Sequence, residues 1–167
     1  MRGALLTIAA CLALAFAGCG DDDSSTTAGA GEETAPAKPA KPSQEKTKPQ
    51  VTVPDGAPPK KLVENDVEIG TGAAAKAGDE VTVQYVGVGY DSKEEFDSSW
   101  SRSEPFTFNL GAGEVIPGWD QGIQGMKVGG RRELVIPPNL AYGPAGSPPV
   151  IGPNETLIFV VDLEAVK

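Results

Sequence analysis

Glu114-Val-Ile-Pro-Gly-Trp-Asp-Gln-Gly-Ile-Gln-Gly-Met126 decides the fold of this chain, because it places a tryptophan on a helix too short to stand alone. Pro117 suits the first helical position, where a missing N–H is no loss, and Gly125 suits the far end, which predicts a helix of about two turns. Trp119, Ile123 and Met126 then fall at i, i+4 and i+7 on one face. So short a helix is stable only when packed against a sheet. The indole is either ordinary core or the floor of a site.

The sequence around the helix supplies the sheet. Leu62 to Ile69 reads as a strand closed by the turn Gly70-Thr71-Gly72, and Ala77-Gly78-Asp79 is a second turn. Val81, Val83 and Tyr85 alternate with Thr82 and Gln84, the period of a half-buried strand. Short strands over Glu95 to Ser98 and Phe106 to Leu110 flank a polar bulge, Ser99 to Glu104. Arg131 to Ile136 and Thr156 to Val166 follow, the last with Leu157, Phe159, Val161 and Leu163 on one face and Asp162 and Glu164 on the other. The expected architecture is α+β: five to six antiparallel strands in a sheet curled around one short helix. The Pro- and Gly-rich loop from Pro137 to Glu155 carries Leu140, Tyr142, Val150 and Ile151, so it is expected to pack down as a flap beside a site.

The 167 residues leave room for one ordinary domain and two other zones. Residues 1–19 carry Arg2, an apolar run from Ala4 to Ala17 and the ending Phe16-Ala17-Gly18-Cys19. The run is short of the ~20 residues a membrane span needs, so it reads as a secretory signal peptide. Its ending resembles the lipobox of bacterial lipoproteins, with Phe16 where Leu is usual, which makes Cys19 the expected site of lipid attachment. Cys11 is the one other cysteine, so no disulfide forms inside the mature domain. Residues 20–60, rich in Pro, Ala and Lys and without an aromatic, are expected to be a disordered tether. About 40 residues of coil span about 35 Å, and extended polyproline II up to about 120 Å, enough to hold a domain clear of a membrane. Residues 61–167 form the folded domain. The net charge is −9, with scattered acid and no basic stripe, which speaks for solubility and against nucleic-acid binding.

The chemistry is bounded by what is missing. The chain has no histidine, and its domain has no cysteine, so Ser-His, Cys-His and histidine-metal sites cannot be built within it. No phosphate-cradling loop or calcium loop is present, and no cofactor is implied. One reaction fits that restriction. Rotation about an X-Pro amide faces a barrier of ~18–20 kcal/mol that comes from lost resonance, and it makes or breaks no bond to an atom. An apolar pocket that desolvates the amide favours the less polar twisted state, and a few donors can hold the carbonyl as it turns.

Seven separated motifs carry a family resemblance: Tyr85 in Val-Gln-Tyr-Val-Gly, Phe96-Asp97-Ser98-Ser99, Arg102, Pro105-Phe106-Thr107-Phe108, Glu114 to Trp119, Ala141-Tyr142-Gly143 and Leu157-Ile158-Phe159. In order and spacing, residues 61–167 resemble the FKBP-type peptidyl-prolyl isomerases, the macrolide-binding immunophilins. The resemblance implies Trp119 as the pocket floor, Tyr85, Phe106 and Phe159 as aromatic walls, and Val115, Ile116 and Ile151 as aliphatic ones; with no histidine in the chain and aromatics around it, the indole is expected to be a half-open platform. It implies that the Ile116 N–H and the Tyr142 hydroxyl bind substrate carbonyls. It also implies that Phe96 and Asp97 form the rim where the amide rotates, that Arg102 pairs with Asp97, and that Glu114 belongs to the substrate-binding set. Ser147 stands where many relatives carry histidine, Pro117 replaces a variable residue, and Trp100 enlarges the bulge.

The resulting expectation is a monomeric prolyl isomerase anchored by lipid to the outer face of a bacterial cytoplasmic membrane, or lying elsewhere in the cell envelope. Its partners would be proline-containing segments of exported proteins, with macrolides as competing ligands. Two other readings stay open at this stage: a proline-binding module or holdase without turnover, and a surface lipoprotein whose domain is only structural.

Overall fold

The structure, a computed structural model, describes residues 46–167. The signal peptide, the lipidation site Cys19 and the first part of the expected tether lie outside the described residues. Six strands form one antiparallel sheet: β1 (Val63–Glu68), β2 (Glu80–Gly89), β3 (Glu95–Ser98), β4 (Phe106–Asn109), β5 (Arg131–Ile136) and β6 (Leu157–Val166). Their order is β1-β5-β6-β2-β3, with β4 also paired to β2. This agrees with the expected α+β architecture.

The central pair is β2 with β6, running from Val81 opposite Val166 to Gly89 opposite Leu157 with one shift of register between Thr82 and Val83. The other edge of β2 is shared: β4 takes Glu80 to Val83, and β3 takes Val86 to Val88. Between them Gln84 and Tyr85 lack a strand partner on that edge. The gap is filled by α1 (Ser99–Arg102), the segment expected as an irregular bulge. The Tyr85 N–H donates to Ser99 Oγ at 2.7 Å, and that hydroxyl donates to Gln84 Oε1. Ser99 is fully buried, so its hydroxyl stands in for a backbone carbonyl that the sheet does not supply.

The helix of the opening motif is α2 (Pro117–Gly122), with Pro117 at its first position. It is slightly shorter than expected, and the chain turns away at Gly125, whose φ is +79°. Trp119, Ile123 and Met126 are all buried against Val83, Leu134, Val161 and Leu163 in the main core. Two devices hold α2 close. Gly118 has no side chain where a methyl would lie 2.4 Å from Ile136 Cγ2. The buried Arg132 on β5 donates to Gly122 O at 2.9 Å and to Asp66 on β1 at 2.6 and 3.0 Å, tying the unpaired carbonyl end of the helix to the edge strand.

Two expectations need correction on the outer face. The alternation of β2 stops at Gln84, beyond which both of its faces are buried. The cover comes from residues 46–53, which the composition places in the tether. Val51 and Val53 pack on Tyr90, Val135 and Ile158, and Lys46 lies 3.1 Å from Asp162, itself clasped by Arg131 at 2.8 Å. A Pro- and Lys-rich stretch lies against the sheet here because two valines and one cation meet a matching surface, so residues 46–53 pack on the domain although their composition is that of the tether. Among the described residues no helix is long and apolar enough to cross a membrane.

The close approach at Gly118 makes a direct prediction. Gly118→Ala forces Ile136 aside, and overpacking of this kind costs about 1–3 kcal/mol. The expected outcome is a lower urea midpoint at unchanged m-value; an unchanged midpoint would show that α2 can back away from β5 freely.

Candidate active site

A cavity of about 400 Å³ opens on the inner side of the sheet beside α2, with Trp119 at its floor. The indole is only 4% exposed, so it is a covered floor and not the half-open platform expected. Its ring meets Tyr85 at 5.0 Å and 82°, Phe159 at 5.2 Å and 84°, and Phe106 at 6.2 Å and 69°, all edge to face. Phe108 leans on it at 5.8 Å. These rings come from three adjacent strands because the registers align them: Val83 faces Phe106 on β4, Tyr85 faces Val161 on β6, and Gly87 faces both Asp97 and Phe159.

Gly87 is a determinant that the sequence reading missed. A methyl there would lie 2.7 Å from Phe96 Cζ and 2.8 Å from Phe159 Cε1, so the absent side chain is what lets these rings meet edge to face at 5.5 Å. A glycine inside an otherwise β-branched and aromatic strand was the available signal.

The rim is polar. Asp97 accepts hydrogen bonds from the Tyr85 hydroxyl, from Arg102 Nη1 and, at 2.8 Å, from the Ser98 N–H. Arg102 Nη2 also donates to the Tyr85 hydroxyl at 2.9 Å, and the guanidinium carbon sits 5.8 Å from the centre of the Tyr85 ring. Burial pulls the Asp97 carboxyl upward, but the bonds from Tyr85 and Arg102 outweigh it and hold it below the usual carboxylate range. Burial, then the bond to Asp97, pushes the Tyr85 phenol up. Burial, then the charge of Asp97, does the same to Tyr142. At neutral pH the Asp97 rim therefore holds a fixed carboxylate beside two protonated phenols, and Glu114 adds a second carboxylate elsewhere in the lining.

Val115, Ile116, Glu114 and Tyr142 complete the lining together with Phe96, Phe106 and Phe159. Ile116 precedes the first helical residue, so its N–H is one of the free donors at the head of α2, and it has no hydrogen-bond partner among the described residues. Glu114 accepts from the Asn109 N–H at 2.9 Å and from Asn109 Nδ2 at 3.0 Å, closing the turn between β4 and α2. Asp120, which the sequence reading did not single out, accepts from the Gly111 and Gly113 N–H groups at 2.8 and 3.0 Å and fixes the same turn from the helix side.

Two of the expected site residues stand outside the cavity. Arg102 reaches it only through Asp97 and Tyr85. Ile151, expected as an aliphatic wall, is buried in the main core, with its N–H on Ser147 O at 3.0 Å. The flap of residues 137–155 contains two 3₁₀ turns, Pro138–Leu140 and Gly143–Ala145, and the second displays Tyr142 at its head. It presses down through Leu140 and Ile151 while Val150 stays exposed.

Comparison with known proteins places this geometry. Residues 72–164 match the family described as FKBP-type peptidyl-prolyl cis-trans isomerase. An FK506-binding protein of Streptomyces anulatus is 58% identical over 120 residues, covering 71% of this chain and 97% of its own length. A probable FK506-binding protein of Corynebacterium glutamicum is 52% identical over 117 residues, covering 70% and 96%. Among solved structures, FkpA from Escherichia coli superposes with a TM-score of 0.58 at 52% identity, over 64% of this chain but 48% of that one. The chain spans about half the length of FkpA. With the match running through every strand from β2 to β6, the chain belongs to the family of FKBP-type peptidyl-prolyl cis-trans isomerases.

Proposed function

We propose that this chain is an exported, lipid-anchored prolyl isomerase that speeds folding of other exported proteins by turning X-Pro amides over Trp119. The observation that carries the reading is the covered indole floor ringed by Tyr85, Phe106 and Phe159. A pyrrolidine ring fits such a floor, and the surrounding rings strip water from the amide. Desolvation favours the twisted state, in which the carbonyl oxygen loses part of its negative charge.

That charge shift also assigns the rim. The expectation that donors hold the turning carbonyl gives way here, because a strong donor on that oxygen would stabilise the planar state and the Tyr85 hydroxyl is already committed to Asp97. The Asp97 carboxylate beside a carbonyl oxygen repels the planar state more than the twisted one, which lowers the barrier. The Ile116 N–H and the Tyr142 hydroxyl are left to bind the neighbouring, non-rotating carbonyls of the chain. A macrolide, as the names of the relatives suggest, would compete for the same floor.

Export and anchoring rest on the apolar run from Ala4 to Ala17 and on the ending at Cys19, the last cysteine of the chain. The partners are proline-containing segments of unfolded exported proteins, bound by a monomer.

Three outcomes test this. In a proline-limited refolding assay, Phe96→Ala and Asp97→Leu each lower kcat/KM by about 10-fold or more, since each removes part of the rim that contacts the rotating amide; native rates in both would refute the assigned roles. The pH profile of kcat/KM on an uncharged peptide is flat from about pH 5 to about pH 9. The sign follows from the directions of the shifts: the lowered Asp97 keeps its charge until pH falls below the ordinary carboxylate range, and the raised Tyr85 and Tyr142 keep their protons beyond the ordinary phenol range. A step near neutrality would contradict it. Finally, Cys19→Ser abolishes labelling of the chain by a radioactive fatty acid and moves it from the membrane to the soluble fraction, whereas unchanged labelling would place the anchor elsewhere.

A further inference from the structure

The stretch 46–53 that covers the outer face of the sheet is held at several independent points. Lys46 Nζ lies 3.1 Å from both Asp162 Oδ1 and Glu68 Oε2, and the Thr47 carbonyl accepts from Arg131 Nη2 at 2.9 Å. Val51 and Val53 pack on Tyr90, Val135 and Ile158. Between these anchors Lys48 reaches sideways to the edge of the sheet. Its ammonium donates to Glu95 Oε1 at 2.8 Å and to Ser101 Oγ at 3.1 Å, and Ser101 Oγ donates to the same carboxylate oxygen at 3.3 Å.

The position of that triangle gives it a meaning. Glu95 directly precedes Phe96 and Asp97, and Ser101 directly precedes Arg102. We propose that Lys48 is a positioning residue of the isomerase: by clamping β3 to α1 from the outer face, it sets where Phe96 and Asp97 stand on the inner one. The inference rests on the reading of Phe96 and Asp97 as the rim of the rotating amide.

The segment being clamped is paired on one side only. β3 is a four-residue edge strand, paired only with β2, and its register slips between Gly87 and Val88. A strand with few contacts opens more readily than the core, and a misplacement of about 1 Å at a reacting group is enough to slow a reaction. An exposed ion pair normally gains little, because two long side chains must be ordered to form it. Here the backbone on both sides of Lys48 is already fixed by Lys46, Thr47 and Val51, so most of that ordering is done before the pair closes. Lys48 touches no part of the cavity, so it acts only through Phe96 and Asp97 and leaves undisturbed the Trp119 floor that takes the proline ring.

The experiment uses the full chain and a short uncharged peptide with one Leu-Pro bond. Lys48→Ala lowers kcat by about 3- to 5-fold with KM unchanged, the signature of misplaced rotation and not of lost binding. Lys48→Arg, which can still bridge Glu95 and Ser101, restores kcat. Hydrogen exchange of the Phe96, Asp97 and Ser98 amides speeds up in Lys48→Ala while that of β6 does not. Native kcat in Lys48→Ala overturns the proposal, and so does a loss shared by Lys48→Arg or accompanied by faster exchange throughout β6. Asp97→Leu, measured alongside, separates the two readings: if it is slow while Lys48→Ala is native, only the clamp falls, and if it is native, the reading of the rim falls and the clamp with it.

Discussion

The edge-to-face contact of Trp119 with Tyr85 and Phe159 is the constraint on which the rest of the structure depends. The α2 helix has six residues, too few to hold itself together in water, so its existence is owed to this packing. The indole N–H has no partner among the described residues, and leaving it unpaired costs about 1–3 kcal/mol. Four aromatic neighbours, each worth about 0.5–1.5 kcal/mol beyond buried area, offset it. The glycines follow from the same requirement. Gly118 brings the helix down to Ile136, and Gly87 clears the ground between Phe96 and Phe159. A cavity wall and a hydrophobic core are here one set of rings seen from two sides.

Around that floor the sheet leaves one edge deliberately incomplete. β4 and β3 divide the free edge of β2, and the break between them falls at Gln84 and Tyr85. The Ser99 hydroxyl satisfies the Tyr85 N–H, which pins α1 at the break and brings Arg102 back over Asp97 and the Tyr85 phenol. The polar rim is thus a by-product of repairing a backbone hydrogen bond. It also explains why so short a helix persists with no side-chain cap at its start.

Much of this was legible in the sequence, and the failures have physical causes. The period-2 runs gave the strands, and the Pro-Gly-Trp motif gave α2, because each encodes a local rule. The α1 helix was read as a bulge because four residues cannot show a helical period, and its partner is a backbone group that no residue code displays. Ile151 and a true cavity wall look alike in sequence: both are apolar residues of a flap, and only the third dimension decides which faces inward. The order of residues 46–53 was hidden for a different reason. Their Pro and Lys content signals a solvated chain, yet Val51, Val53 and Lys46 suffice once Ile158 and Asp162 present a complementary face.

The electrostatics of the rim bear on what kind of chemistry this arrangement can support. Asp97 is bound by a phenol, a guanidinium and a backbone N–H, so its lone pairs are largely spoken for and its proton affinity is lowered. A carboxylate in that condition is a poor general base, and phenols shifted upward are poor general acids near neutrality. A site built to move protons shifts such groups toward the working pH, whereas this one shifts them away. What remains useful is a fixed charge and a dry aromatic enclosure. Those act on a reaction whose barrier is a redistribution of charge within one amide, and they need no proton to do it.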